Sequence, residues 1–505
     1  MYKIGFQNFR RFAYFQPIEY KGITFLVGRN NSGKSTLVKA LLLIYDFLKS
    51  DNIDLFSFGS NSIEDANIVT YGRAKNKKGT ENEDFISFYY VVDGYAISIK
   101  ITGLDEKIKA DVLEFTISDI ENRFDFILTP PTITFQSLGE KVEVVDTQNQ
   151  ELLNAQLELE NSLKQQLKQI TEKSSIEYIS INSDLNTVKS RIKDLRKIVR
   201  QEGIAPGSFS LETDITKSNI RDIFQDVVFE FSAEYEMQYH DIQGGKKPKK
   251  IFESYKAFKD NKFKIEKSIE GLLKLISETN IVYLGATLNK QSALFAIRDK
   301  NNPLAQVIHE YKQLGIDLDV GSFAQRFVKK WMSQKDGFEI GNDFEIEMHA
   351  GEAYEVIIND NGVKTHLADK GNGSIQAMLL ILRLASIIYK KAKDKQDYTV
   401  VIEEPELNLH PALQSKLAEL FHEVYKDYGI KMIVETHSEY LIRKTQLIVK
   451  KYEYEVAQNE NPFAVLYFDK DLNQWKMEYR EDGKFKNSFG KGFYDESNNL
   501  TFDLI

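Results

Sequence analysis

The chain has 505 residues, 42% hydrophobic and 28% charged, a globular composition that excludes wholesale disorder and, at roughly 150 residues per domain, points to about three domains. It contains no Cys, which excludes a disulfide framework, a thiolate zinc site, an iron–sulfur cluster and a Cys nucleophile. There is neither a long apolar run nor an apolar leader after Met1, so a cytoplasmic protein without a membrane partner is expected, and 66 basic residues within a net charge of −9 leave room for a local basic patch.

Tyr2–Phe6 and Ile18–Lys21 read as strands, Ile23–Val27 as a buried strand and Ser35–Leu48 as a helix. Between the last two lies Gly28-Arg-Asn30-Asn31-Ser32-Gly33-Lys34-Ser35-Thr36, which satisfies G-x-x-x-x-G-K-[ST] in the strand–loop–helix setting that motif requires. Backbone N–H groups of such a loop wrap a β-phosphate, Lys34 neutralises the β/γ oxygens, and the Ser35 hydroxyl ligates Mg²⁺. Phe85–Val92, Tyr95–Thr102 and Val112–Ser118 alternate as a β-meander, so residues 1–145 form one lobe with the phosphate loop.

Residues 146–202 change character. Leu159, Leu163, Leu167 and Ile170, then Ile181, Leu185, Val188, Ile192, Leu195 and Val199, recur at steps of 3 and 4 among charges and glutamines. This predicts a coiled-coil hairpin turning near Ser174 and Ser175, with arms of about 20 residues and about 30 Å. Residues 203–335 read as mainly helical, over Ser218–Ser277 and Pro303–Lys335, with a strand at Ile281–Leu284. Within them the Lys-rich stretch 246–267 interleaves Phe252, Tyr255, Phe258 and Phe263. It suits a nucleic-acid track, to which the basic second arm of the hairpin would add, or an amphipathic helix whose aromatics face the core.

Residues 336–450 carry the remaining chemistry. A hairpin at Phe344–Met348 and Tyr354–Asn359 is followed by a turn at Asn361-Gly362 and by Gly371-Asn-Gly373-Ser374 at a helix start, a second anion-binding nest. The apolar run Thr399–Ile402 delivers Glu403, placed to hold the metal through water, and Glu404, placed to orient or deprotonate an attacking water. Ile430–Val434 ends in Glu435-Thr436-His437-Ser438, with His437 set to reach a γ-phosphate. Residues 451–505 form a small module in which Asp469 and Asp471 sit in a turn between two strands.

Together these motifs resemble the ABC-type ATPase head of the RecF, SMC and OLD group. The resemblance is carried by Asn8-Phe9-Arg10, the GxNxSGKST loop, Ile402-Glu-Glu-Pro-Glu406 with Leu409-His410-Pro411, and Glu435-Thr-His-Ser438. It implies an α/β P-loop head, a mixed sheet with flanking helices interrupted by the hairpin. It also implies ATP and Mg²⁺ as ligands, a head-to-head homodimer, and Gly371, Gly373 and Ser374 as a signature motif facing ATP on the partner. Lys34 and Gly371 are 337 positions apart, a spacing similar to the DNA-associated branch rather than to transporter subunits. Only 67 residues follow Ser438, fewer than the Toprim nuclease of OLD-like proteins needs, so no nuclease centre is expected in this chain. The resemblance to stand-alone ATPases such as those of Septu and PARIS implies a sensor or regulator in bacterial antiphage defence, acting on a separately encoded effector, a nuclease or toxin. The alternative it implies is a DNA-repair or chromosome-maintenance ATPase that clamps DNA.

Overall fold

The structure is a computed structural model. It describes residues 2–59, 68, 70–77, 84–137, 147–169, 180–192, 209–214, 219–225, 227, 229, 249–286, 294–300, 302–319, 321–454, 460–490 and 493–494. In chain order the elements begin with strands β1 (Tyr2–Phe9), β2 (Phe12–Tyr20) and β3 (Ile23–Gly28), helix α1 (Lys34–Leu48), β4 (Leu55–Ser57) and α2 (Tyr71–Ala74). Then come β5 (Ile86–Val92), β6 (Tyr95–Thr102), β7 (Lys109–Asp119), β8 (Phe124–Thr129), β9 (Thr132–Ser137), α3 (Thr147–Gln169), α4 (180–192), β10 (Phe209–Asp214), α5 (220–225) and α6 (Lys249–Glu278). The rest are β11 (Thr279–Leu284), β12 (Phe295–Ala296), α7 (Pro303–Gln313), α8 (Phe323–Met332), β13 (Asp343–His349), β14 (Ala353–Asp360), β15 (Val363–His366), α9 (Asn372–Asp394), β16 (Asp397–Glu403), α10 (Pro411–Tyr428), β17 (Lys431–Thr436), α11 (Glu439–Tyr452), β18 (Phe463–Phe468) and β19 (Gln474–Met477).

The chain divides into two compact units, one of residues 1–115, 218–220 and 271–505, the other of residues 116–217 and 221–270. The first unit is built on a six-stranded sheet in the order β11-β16-β17-β3-β18-β19, in which only the β18–β19 pair is antiparallel. All six residues of β3 are buried, as a parallel strand covered on both faces requires. Residues 271–335, read from sequence as part of the insertion, belong to this unit because β11 pairs with β16 along six residues. Residues 116–145, read as part of the head, fall in the second unit.

Helix α9 is the one helix among the described residues long and apolar enough to cross a membrane, yet 72% of its apolar window is buried inside the first unit. It packs against α7, α8 and β16, and Ile375, Met378, Ile381, Leu382 and Ala385 are buried there. The helical stretch expected over Pro303–Lys335 is two helices, because Gly315 (φ 69°) and Gly321 (φ 82°) adopt left-handed backbone between them. A second, antiparallel sheet of this unit pairs β1 with β2 and β5, and β5 with β6.

In the second unit β9 pairs antiparallel with both β8 and β10, and Phe224 of α5 stands edge-on to Phe126 at 5.0 Å. Helices α3 and α4 pack through Leu157 and Leu163 on one side and Val188 and Ile192 on the other. Leu159, placed in the seam by leucine spacing, is 43% exposed; the stripe turned inward on α3 runs through Gln156, Leu157, Glu160, Leu163 and Leu167. Ile170, Leu195, Val199 and the turn at Ser174 and Ser175 lie outside the described residues.

Candidate nucleotide-binding site

The loop between β3 and α1 is shaped by three left-handed residues, Gly28 (φ 141°), Asn31 (φ 63°) and Gly33 (φ 106°). Two of these positions exclude any side chain. A Cβ on Gly28 would stand 2.0 Å from the carbonyl oxygen of Phe468, and one on Gly33 2.4 Å from the Phe12 ring. The bend leaves Asn30 and Asn31 exposed and Ser32, Gly33, Lys34 and Thr36 buried, with the Thr36 amide donating to Gly33 O at 3.0 Å. The buried Ser32 hydroxyl has no hydrogen-bond partner among the described residues.

Lys34 donates to the carbonyls of Gly28 (3.1 Å) and Arg29 (2.9 Å) and stands 3.7 Å from Glu435. Burial lowers its pKa, while Glu435, Glu404 and Glu406 oppose that shift. Ser35 Oγ donates to Glu435, 2.8 Å from one carboxylate oxygen and 3.1 Å from the other. Burial pushes Glu435 up to about 7, against the pull of Lys34 and the Ser35 hydrogen bond.

Parallel pairing brings the acidic residues alongside. Glu403 is in register with Glu435, and Glu435 with Leu26 of β3, so β17 stands between the phosphate-loop strand and the strand that ends in Glu403. Glu403 Oε1 is buried without a partner among the described residues. Glu404 turns out of the strand with φ 47° while its amide still donates to Glu435 O at 2.8 Å. Its Oε1 then lies 3.7 Å from His437 Nε2. Burial, aided by the Lys34 charge, pushes His437 down to about 4, so its imidazole is neutral near pH 7. Glu406, also buried, accepts from the His437 amide at 2.6 Å and fixes the backbone on which that imidazole sits. Ser438 caps α11 by accepting from Leu441 N, and its hydroxyl donates to Gln414.

The structure therefore joins Lys34, Ser35, Glu404 and His437 in one cluster at the carboxyl ends of parallel strands, with Glu403 in register beside it. Gly371, Gly373 and Ser374 stand apart: among the described residues they make no hydrogen bond to residues 28–36. They form the start of α9, where a Cβ on Gly373 would lie 2.6 Å from Asn408 O, so this turn packs on the segment that follows Glu404. Asp469 accepts from the amides of Asp471 and Asn473 and closes the β18–β19 turn.

Glu435 is the residue that motif reasoning passed over in favour of its neighbour His437. Its signal was present: an acid at the buried end of an apolar strand, the same pattern that singled out Glu403. The set of hard oxygens suits Mg²⁺, because Ser35 Oγ keeps its lone pairs while donating to Glu435 and Glu403 Oε1 is buried and unpartnered.

No curated protein matches the sequence. Among solved structures, the chain is similar to an Smc head domain with an extended coiled coil bound to the C-terminal domain of ScpA from Pyrococcus furiosus, at 11% identity, TM-score 0.37 and full coverage of both chains. It is also similar to an SMC head bound to the C-winged helix domain of ScpA (10% identity, TM-score 0.36, 96% of each chain) and to the SMC head domain from Thermotoga maritima (10%, 0.33, 92% of this chain and 93% of that). The AAA ATPase domain family matches residues 1–442, a span that takes in every residue of the cluster built above. The chain belongs to that family.

Proposed function

We propose that this ATPase hydrolyses ATP between two head units of identical chains, and that the cycle controls a separate effector protein in bacterial defence against phage. The observation that carries the hydrolytic reading is the contact set Lys34–Glu435–Ser35 beside Glu404–His437 at the carboxyl ends of neighbouring parallel strands. The loop amides and Lys34 take the β/γ-phosphates, and Ser35, with Glu403 through water, holds Mg²⁺. Bound Mg²⁺ supplies charge neutralisation on the phosphate oxygens. Glu404, turned out of its strand, orients the attacking water and accepts its proton; neutral His437 hydrogen-bonds the γ-phosphate. Gly371, Gly373 and Ser374, which make no hydrogen bond to their own loop among the described residues, complete the site of the second copy.

Glu404→Gln is expected to bind ATP, to lower turnover by at least about 100-fold, and to accumulate as a dimer in size-exclusion chromatography with light scattering. Unchanged turnover in that variant would sink the assignment. The defence role is supported by the motif resemblance to stand-alone ATPases of antiphage operons. Its test is phage plating with and without the neighbouring gene: protection that needs the neighbour supports an effector on another chain.

A second reading, direct DNA contact, is favoured by α6. Phe263 is 79% exposed there, beside exposed Lys259, Lys262, Lys264 and Lys267, while Ile265 and Ile269 take the buried face. Core packing thus leaves Phe263 free to stack on a base. Side chains at Phe252, Tyr255 and Phe258 lie outside the described residues. Stimulation of ATP turnover by double-stranded DNA, lost in Phe263→Ala with Lys262→Glu, would support this reading over the first.

A further inference from the structure

The sheet β13–β14–β15 turns Tyr354, Val356 and Ile358 into the core and leaves Glu355 on its outer face. On that face Glu347 lies directly opposite Glu355. A histidine stands one step diagonal on each side, His349 beyond Glu347 on β13 and His366 opposite Ile357 on β15. His349 Nε2 and His366 Nδ1 are each 2.6 Å from Glu355, on different carboxylate oxygens. The Glu355 side chain is only 14% exposed, so its orientation is fixed by these contacts. Ligand atoms of Glu347, His349 and Glu355 all lie within 4.8 Å of one another.

Two carboxylates directly opposite on neighbouring strands repel each other. Glu347 has no hydrogen-bond partner among the described residues to offset that repulsion. An ordinary surface ion pair would set one acid against one base; here two acids share one position and two imidazoles converge on the same acid.

We propose that Glu347, His349 and Glu355 form a binding site for a divalent transition metal of the zinc class, with His366 as the residue that orients Glu355. Imidazole with carboxylates suits zinc and its neighbours, whereas Mg²⁺ and Ca²⁺ take oxygen ligands. Three protein ligands leave a fourth tetrahedral position for water. Tetrahedral bonds of about 2.0–2.2 Å set ligand atoms about 3.4 Å apart. His349 and Glu355, now 2.6 Å apart, therefore need to separate by less than about 1 Å. His366, on the other carboxylate oxygen, keeps the Glu355 oxygen that faces His349 available to the metal, the supporting role that partners of metal ligands play.

The site has a structural consequence. His366 ends β15, and only the short turn Leu367–Asp369 and Lys370 separate it from Gly371. Metal at Glu355 would tie β13 to β14 and fix the carboxylate that His366 of β15 contacts, and so steady the chain that feeds the start of α9. That consequence rests on the proposed role of Gly371–Ser374; the metal site itself does not.

The test is metal titration of the full chain after chelator treatment, with excess Mg²⁺ present to saturate the phosphate-loop site. One Zn²⁺ per chain is expected, and Co²⁺ in its place should give the visible absorption of four-coordinate nitrogen–oxygen ligation. His349→Ala and Glu347→Ala, both at exposed positions, should abolish binding, and His366→Ala should weaken it about 10- to 100-fold. Lys34→Ala should leave it unchanged, which separates this site from failure of the nucleotide reading. Absence of stoichiometric zinc, or equal affinity in His349→Ala, Glu347→Ala and the unaltered chain, overturns the proposal; metal-free melting curves confirm that each variant folds.

Discussion

Where the Ser35 hydroxyl donates to Glu435, a buried acid shares its space with Lys34, Glu403 and Glu404, and its titration follows from that crowding. Its folded pKa, about 7, lies above the ordinary 4.5, so the protonated form is favoured in the folded state. The sign is that of a raised acid: its contribution to stability is complete below about pH 4.5 and is lost as pH rises through about 7. The full difference corresponds to roughly 3 kcal/mol. Glu435→Gln should therefore raise the melting temperature of nucleotide-free protein at pH 8 and flatten its pH dependence between 5 and 8, while Mg-dependent turnover falls. An unaltered slope in melting temperature against pH would show that another group dominates. His437 behaves in the opposite sense, with a contribution present above about pH 6.5 and lost as pH falls toward 4. Lys34, Ser35, Glu403, Glu404 and His437 were legible in the sequence because each sits at a fixed offset from a glycine turn or a strand end. Glu435 carries the same strand-end signal, but its contact with Ser35 and Lys34 was not legible, because it depends on which strand stands between β3 and β16, and parallel register is a property of the fold.

At the scale of elements, the loop from β3 to α1 is tightly determined. Gly28→Ala places a Cβ against the main chain of β18, which cannot swing aside as a side chain can, and holds alanine at a strained φ. A loss of at least about 1–3 kcal/mol is expected, seen as a lower melting temperature together with weaker binding of a fluorescent ATP analogue. The helices α3 and α4 respond differently along their lengths. Ile192→Ala, at a position 4% exposed, should cost about 2 kcal/mol, at the lower end of core truncations because a two-helix seam collapses easily. Leu159→Ala should change little, and comparative hydrogen exchange across 147–169 and 180–192 would measure both. Leucine spacing predicted the pair of helices but misplaced part of its seam. Heptad counting sees only apolar residues, and the inward stripe of α3 includes the half-buried Gln156 and Glu160, which such counting leaves out. The exposed lysines and Phe263 of α6 were visible in sequence as a basic aromatic run; burial was needed to show that this phenylalanine is not on the core face.

For the whole molecule, the phosphate loop and the Gly371–Ser374 turn lie in one unit without hydrogen bonds between them among the described residues. If each completes the site of a second copy, complementation follows. Lys34→Ala chains, which lack a working loop, mixed with Ser374→Arg chains, which lack a working turn, should recover about a quarter of normal turnover, since half of the dimers are mixed and each holds one intact site. No recovery in the mixture would place the complete site within one chain. The central sheet carries a further consequence, for the order in which the protein can be made. Strand β3, at residues 23–28, is flanked by β17 at 431–436 and β18 at 463–468, so both of its neighbours are synthesised some 400 residues later. At ribosomal speeds of roughly 5–20 residues per second, this apolar strand waits about 20–80 s with both edges unpaired. During that interval the nascent chain has its phosphate-loop sequence but no sheet to hold it, and it depends on chaperones or on its own early helices to keep those edges from pairing elsewhere.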